Sequence, residues 1–176
     1  MAATLTTKFS LNLEALLALT TGPNAVTGNI AQSYLASWAS GVGAAQADKI
    51  YAETRTIAAS GTASLDLAGS LLDIFGTAIT FARIKAIIVM PDALNTNDVI
   101  VGGAAANPFI GPFIDAAATA LAQPAIKVKP GGLLINANVD ATAWVVTPAT
   151  GDILLLTNAA GGTSVAVTTI LIGASA

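Results

Sequence analysis

The chain has 176 residues, of which 10% are charged; 7 basic and 10 acidic side chains give a net charge of −3. It contains no cysteine and no histidine, which excludes disulfides, zinc sites built on those ligands, and nucleophilic dyads with a histidine base. The few lysines and arginines are scattered, whereas binding to nucleic acid normally needs them clustered against phosphates. We therefore expect no nucleic-acid partner.

The shortage of charge predicts association with other protein surfaces. Mean hydropathy is +0.73, and an ordinary soluble domain carries about 25% charged residues. A surface so poor in charge is weakly hydrated unless neighbours cover it. The alternative is a monomer rich in alanine and glycine whose surface is made of threonine, serine and asparagine.

No membrane segment is predicted. Two stretches lack charge, residues 15–47 and 153–176, but glycine, proline and asparagine interrupt both before about 20 apolar residues accumulate. The N-terminus does not resemble a signal peptide, because Glu14 lies inside its apolar run. We expect a chain that is made in the cytoplasm of a host cell and is not processed.

Residues 1–47 differ from the rest and are predicted to form an irregular arm, extended or partly helical. Phe9, Leu11 and Leu13 alternate with polar residues, which suits a short strand. In residues 30–38 the apolar positions are spaced as on a short helix face. The aromatic pair Tyr34 and Trp38 is expected to anchor the arm, either on the chain's own domain or on a neighbouring subunit.

Residues 48–176 are predicted to form an all-β domain, a jelly-roll-like antiparallel β-sandwich. Short runs with β-branched residues are separated by glycine, proline and asparagine turns at the spacing typical of sandwiches and barrels. No helical pattern lies between them, which disfavours a parallel α/β sheet. The expected strands lie near residues 49–58, 62–67, 79–90, 98–101, 125–128, 133–137, 143–147, 153–157 and 164–172, and the first two are expected to form a hairpin.

No catalytic, cofactor-binding or metal-binding residues are predicted, and we expect that the protein is not an enzyme. Gly102-Gly103 and Gly131-Gly132 lack the lysine and hydroxyl residue that follow in a phosphate-binding loop, and they more simply supply positive φ in turns. Lys127 and Lys129 lie on one strand face. They form either a solvated surface or a contact to an acidic neighbour.

The region from residue 47 to residue 173 resembles a group of bacteriophage structural proteins that have a small β-sandwich domain. The order of several turn and strand motifs carries the resemblance: Asp66-Leu67-Ala68-Gly69 with Phe75-Gly76, residues 79–87, Val101-Gly102-Gly103-Ala104 followed by Asn107-Pro108-Phe109, Val128-Lys129-Pro130-Gly131-Gly132, and residues 169–173. The resemblance implies a virion component on the capsid surface, most simply a head decoration or cement protein. It also implies a homotrimer that binds the major capsid protein, with no catalytic residue.

The predicted function is therefore to decorate and stabilise a phage capsid through contacts between subunits. A tail, baseplate or fibre-attachment subunit is the alternative. A jelly-roll carbohydrate-binding module is a further one, but 2 Trp and 2 Tyr are few for stacking on sugars. The candidate assembly contacts are Phe9, Leu11, Tyr34, Trp38, Lys127 and Lys129.

Overall fold

The structure, a computed structural model, describes residues 4–21, 24–69, 71–113 and 124–176. These stretches contain fourteen β-strands and no helix, which confirms the predicted all-β class. The strands are β1 (Thr7–Thr21), β2 (Asn24–Ser40), β3 (Gln46–Ala47), β4 (Lys49–Ile57), β5 (Thr62–Asp66), β6 (Leu71–Leu72), β7 (Ala78–Ile79), β8 (Arg83–Pro91), β9 (Val99–Gly102), β10 (Ala125–Val128), β11 (Leu134–Ala137), β12 (Trp144–Val145), β13 (Ile153–Asn158) and β14 (Val165–Ala174).

Two antiparallel sheets form the body of the protein. One has the strand order β11-β8-β14-β4, with β12 also paired to β8, and the other has the order β10-β9-β13-β5. Their inner faces supply the main core, because alternate side chains of each strand point inward. The buried residues Ile87, Val89 and Leu171 of the first sheet belong to the same cluster as Val101, Leu154 and Leu156 of the second. This packing supports a β-sandwich; the jelly-roll connectivity stays a prediction.

The predicted hairpin between residues 49–58 and 62–67 is wrong. Both strands exist, but β4 pairs with β14 and β5 pairs with β13, so the turn at residues 58–61 carries the chain from one sheet to the other. A short turn between two alternating runs does not reveal whether the runs pair or face each other. The Asn107-Pro108 and Gly111-Pro112 dipeptides predict a long connection over residues 104–122, of which residues 114–122 lie outside the part of the chain that the structure describes.

The N-terminal arm is a regular β-hairpin of unusual length. Strands β1 and β2 pair in antiparallel register from Thr7 opposite Trp38 to Thr21 opposite Asn24. After β2 the chain turns back, and β3 pairs in parallel with the end of β2 before the sandwich begins at β4. The extended alternative for the arm therefore holds, while the irregular and partly helical ones are wrong.

The false helix signal has a simple cause. Ile30, Tyr34 and Trp38 are four residues apart, a spacing that suits one face of a helix and equally one face of a strand, because four is a multiple of two. Pairing with β1 satisfies the backbone of this segment in the extended form. The apolar residues at even positions of β2 consequently share one side of the ribbon.

Strand β8 contains a bulge next to the end of β14. The register shifts between Ile172, which lies opposite Ala86, and Gly173, which lies opposite Ile84, so that Lys85 is the extra residue. A bulge turns a side chain away from the regular alternation. Gly173 is needed at this place because a Cβ there would lie 2.6 Å from Cδ1 of Phe81 and closer still to the carbonyl oxygen of Arg83.

We predict that Gly173→Ala lowers the free energy of unfolding by about 1–3 kcal/mol, as expected for overpacking in a rigid interior. Urea denaturation of the purified variant measures the change. Gly151→Ala is the matched control, since the nearest atom to its added Cβ lies at 3.7 Å, an ordinary contact. Equal stability of the two variants would contradict the tight packing at the bulge.

Candidate functional site

The two faces of the hairpin arm differ sharply in polarity. Residues directly opposite each other in an antiparallel pair point to the same side. The register therefore places Leu17 with Gly28, and Ala15 with Ile30, on one side of the ribbon. We call this side the apolar face; its residues in β1 and β2 are Phe9, Leu11, Leu13, Ala15, Leu17, Leu19, Val26, Gly28, Ile30, Gln32, Tyr34, Ala36 and Trp38.

The opposite side of the arm is polar. It carries both charged residues of the hairpin, Lys8 and Glu14, and most of its other positions are serine, asparagine, threonine or alanine. Leu16 and Leu35 are its large apolar residues. The apolar face therefore has no ionisable group apart from the phenol of Tyr34.

Most of the apolar face is open to solvent. Leu17 is 77% exposed, and the other large side chains of its outer part are each about half exposed or more: Leu11, Leu13, Leu19, Val26, Ile30 and Tyr34. Monomeric proteins rarely leave a contiguous apolar surface of this extent uncovered, and such a surface usually marks a contact with another molecule. The arm is therefore the candidate functional site.

The base of the same face is buried against the chain's own sandwich. Trp38 is 1% exposed and belongs, with Ala36, to a second core cluster that includes Ala86 of β8 and Ile172 of β14. These sheet residues point away from the main core, so the arm covers the outer side of the sandwich. One continuous apolar face is thus buried at its base and exposed beyond it.

Polar contacts fix the base of the arm to the loop that follows β11. Nε1 of Trp38 donates a hydrogen bond of 3.1 Å to the carbonyl oxygen of Asn138. The backbone N–H of Ala45 donates to the carbonyl oxygen of Val139 at 2.7 Å. Both bonds join segments about a hundred residues apart, and they fix the direction in which the hairpin leaves the sandwich.

Lys85 is buried at the same junction. The bulge in β8 turns its side chain toward the base of the arm, where it has no exposed surface. Its ammonium group donates to the carbonyl oxygen of Gly43 at 3.4 Å, to that of Ala141 at 3.0 Å, and to that of Asp140. A lysine ammonium has three donors, and each finds a backbone acceptor here.

Burial lowers the pKa of Lys85, and the neighbouring charge of Arg83 lowers it further, while Asp140 opposes the shift. The physical reason is that the charged form loses hydration when it is removed from water. Burial of the Lys85 ammonium costs free energy of desolvation. Its hydrogen bonds to the turn after β2 and to the loop after β11 offset that cost and hold the arm in place. We assign Lys85 a structural role.

The six candidate contacts from the sequence fall into four groups. Leu11 and Tyr34 are exposed on the apolar face. Phe9 is partly buried, and its ring centroid lies 6.3 Å from that of Tyr34. Trp38 anchors on the chain's own domain, the first of the two alternatives, and it offers no surface to a neighbour.

The lysine pair lies elsewhere, on strand β10 and just after it. Nζ of Lys129 is 2.9 Å from Oδ2 of Asp98, and Nζ of Lys127 is 4.0 Å from the same oxygen. Both lysine side chains remain mostly exposed beside this carboxylate. Among the described residues, strand β10 belongs to a different sheet from the strands of the arm, so the two lysines and the arm residues are not paired in one sheet.

Sequence reasoning missed the outer half of the apolar face, formed by Leu13, Leu17, Leu19, Val26 and Ile30. A signal was present: apolar residues occupy odd positions from residue 9 to residue 19 and mainly even positions from residue 26 to residue 38. Leu16 interrupts the alternation in the first strand. The uncharged run then looked like a loosely structured segment instead of two paired strands.

A second, smaller apolar projection lies at the turn between β6 and β7. Phe75 is 78% exposed there, and Ile74 beside it is also exposed. Oδ1 of Asp73 accepts hydrogen bonds from the backbone N–H groups of Phe75 and Thr77, at 2.9 and 2.8 Å, and so fixes the turn. Next to it is a cleft of about 540 Å³ that Leu5 also lines.

The asparagine-rich turn at residues 95–98 and the two glycine pairs have structural roles. The amide of Asn97 donates to Oδ1 of Asn158 and to two backbone carbonyl oxygens, and so joins the loops that follow β8 and β13. Gly102, Gly103 and Gly131 have the predicted positive φ, whereas Gly132 does not, so the prediction is wrong for that residue. In the part of the chain that the structure describes, no three metal-ligating side chains lie together. The same stretches contain no helix with the length and hydrophobicity needed to cross a bilayer.

Comparison of the chain with protein-family models, with curated proteins and with solved structures gave no match.

We predict that Lys85→Met lowers the free energy of unfolding by about 2–3 kcal/mol, because it leaves buried carbonyl oxygens without a donor. Hydrogen exchange followed by mass spectrometry is expected to show faster exchange at residues 36–47 than in the wild-type protein. Lys127→Met is the control, since that side chain is mostly exposed. Unchanged exchange at the base of the arm in Lys85→Met would contradict the anchoring role.

Proposed function

We propose that this protein is a structural subunit of a larger assembly and that its hairpin arm makes the contact with a neighbouring subunit. The observation that carries the proposal is the exposed outer part of the apolar face, from Leu11 and Tyr34 to the end of the hairpin. The low charge of the whole chain supports the same conclusion.

Burial of this face would supply the binding energy. A large aliphatic side chain that becomes fully buried contributes roughly 1.5–3 kcal/mol. Leu13, Leu17 and Leu19 alone are each more than half exposed, so a partner that covers the ribbon gains several such contributions. The ordering cost is small on this side, because the strands are already paired and the arm is anchored at its base.

Within this class, we propose a role on the surface of a bacteriophage capsid, as a decoration or cement protein that binds the major capsid protein. The order of the turn and strand motifs between residues 47 and 173 supports this narrower proposal, and the sandwich architecture is compatible with it. A tail or baseplate subunit is the alternative within the virion. The copy number per particle separates the two roles: hundreds for a shell protein, and a handful for a baseplate protein.

A shortened arm tests the general proposal. We predict that replacement of residues 11–34 by an Asn-Gly turn leaves a folded domain, because Phe9, Ala36 and Trp38 keep the base of the hairpin covered. The shortened protein should be absent from particles purified from a culture that makes it in its natural context, as counted by quantitative mass spectrometry. Incorporation at the wild-type copy number would refute the role of the arm.

A pair of point variants tests which face of the arm is used. Leu17→Asp puts a charge on the apolar face, whereas Leu16→Asp puts the same charge on the opposite face at a residue of similar exposure, 71% against 77%. We expect Leu17→Asp to weaken binding to particles assembled without the protein by at least tenfold, and Leu16→Asp to change it little. Equal losses in the two variants would contradict a contact through the apolar face.

A further inference from the structure

We propose that the apolar face of the arm is covered by the same face of the arm from a second copy of this chain, with the two hairpins stacked face to face and antiparallel about a two-fold axis. The inference deepens the proposed function and rests on it only in taking the arm as the contact surface. It names the occupant, which the proposed function leaves open between another copy and a different protein.

The sizes of the side chains on the face support a two-fold arrangement. In one cross-strand pair the small residue is on β1, Ala15 opposite Ile30; in the next pair it is on β2, Gly28 opposite Leu17. The two large side chains therefore lie on one diagonal of the ribbon and the two small residues on the other. No heavy atom lies within 4 Å of a Cβ placed on Gly28, so that corner of the face is an open notch.

A two-fold axis between these two pairs fits the face to itself. If the axis lies between the ribbons and runs across the strands, Leu17 of one copy lies over Ala15 of the other. By the same rotation, Ile30 of one copy lies over Gly28 of the other. Large side chains then fill the two low positions on both sides of the contact, as a self-complementary interface requires.

The position of the sandwich selects the antiparallel orientation. The base of the apolar face, with Ala36 and Trp38, covers the outer side of the chain's own sheet, so the sandwich lies on the side toward which this face points. Two stacked arms that point the same way would bring each sandwich into the base of the other arm. With the arms antiparallel, the two sandwiches lie at opposite ends of the stack.

Area and charge agree with a second copy as the occupant. Seven large apolar side chains lie on the exposed part of the face, and together their exposed fractions amount to about four fully exposed residues. That is on the order of 700–800 Å², close to the roughly 800 Å² that each partner gives to a standard interface. Lys8 and Glu14 both lie on the opposite face, so stacking buries no charge from either copy.

Gly28→Leu tests the fit, because it adds apolar surface but fills the notch that receives Ile30. We expect the dissociation constant of the purified protein, measured by sedimentation equilibrium, to rise at least tenfold. Asn29→Leu is the matched control, since it adds the same side chain one residue away on the opposite face, and it should leave the constant unchanged. Association of Gly28→Leu as tight as that of the wild-type protein, or tighter, would overturn the proposed fit.

Crosslinking tests the orientation, and it is clean because the chain has no cysteine of its own. Chains with Ala15→Cys are mixed with differently tagged chains carrying Leu17→Cys, and a short bis-maleimide is added. We expect a covalent heterodimer from this mixture and much less from the matched mixture of Leu16→Cys and Ala18→Cys, which lie on the other face. Equal yields from the two mixtures would overturn the proposal.

The same experiments separate this inference from the proposed function. If the shortened arm abolishes incorporation into particles but Ala15→Cys and Leu17→Cys chains never crosslink, the arm binds a different protein and only the inference fails. If the crosslink forms but no particle contains the chain, the paired arms are real and the virion role fails. Binding of the wild-type arm to lipid vesicles, enhanced by Gly28→Leu, would point to a membrane occupant and also overturn the inference.

Discussion

A two-stranded ribbon has two faces and can bury neither of them by itself, and the rest of this structure depends on how that limit is met. At its base the arm covers the outer side of a sandwich sheet, where Trp38 becomes almost completely buried. Beyond that point the ribbon continues with the same alternation but without a sheet beneath it. The exposed leucines are therefore the extension of an intramolecular interface, and their burial requires a second molecule.

The sandwich was largely predictable from the sequence, since period-two alternation and turn residues locate β4, β5, β9, β10, β13 and β14 to within a residue or two. Pairing was less predictable, as the turn at residues 58–61 shows, because local patterns do not say which sheet a strand joins. The arm was identified as a separate segment, but its structure was not. Its two strands are recognisable only when they are considered together. In neither strand alone do apolar and polar residues alternate regularly enough to exclude a helix.

The anchoring of the arm was invisible to sequence reasoning. Lys85 is one charge in the middle of a strongly alternating strand, whereas the bulge turns it to the outer side of the sandwich, toward carbonyl oxygens of two distant turns. A bulge depends on the register between two strands, and no single strand encodes that register. The buried ammonium also explains how a thin hairpin can leave the sandwich in a defined direction, since it connects the turn after β2 to the loop after β11.

Both charged residues of the hairpin lie on its polar side, so a contact through the apolar face contains no ion pair. This determines how the contact depends on salt concentration and temperature. A contact without ionic partners has no electrostatic attraction for salt to screen. The affinity of such a contact comes from the hydrophobic effect. This effect weakens at low temperature and in urea, and sulfate strengthens it. An assembly held together by this ribbon would therefore dissociate more readily at low temperature and remain stable at high salt concentration.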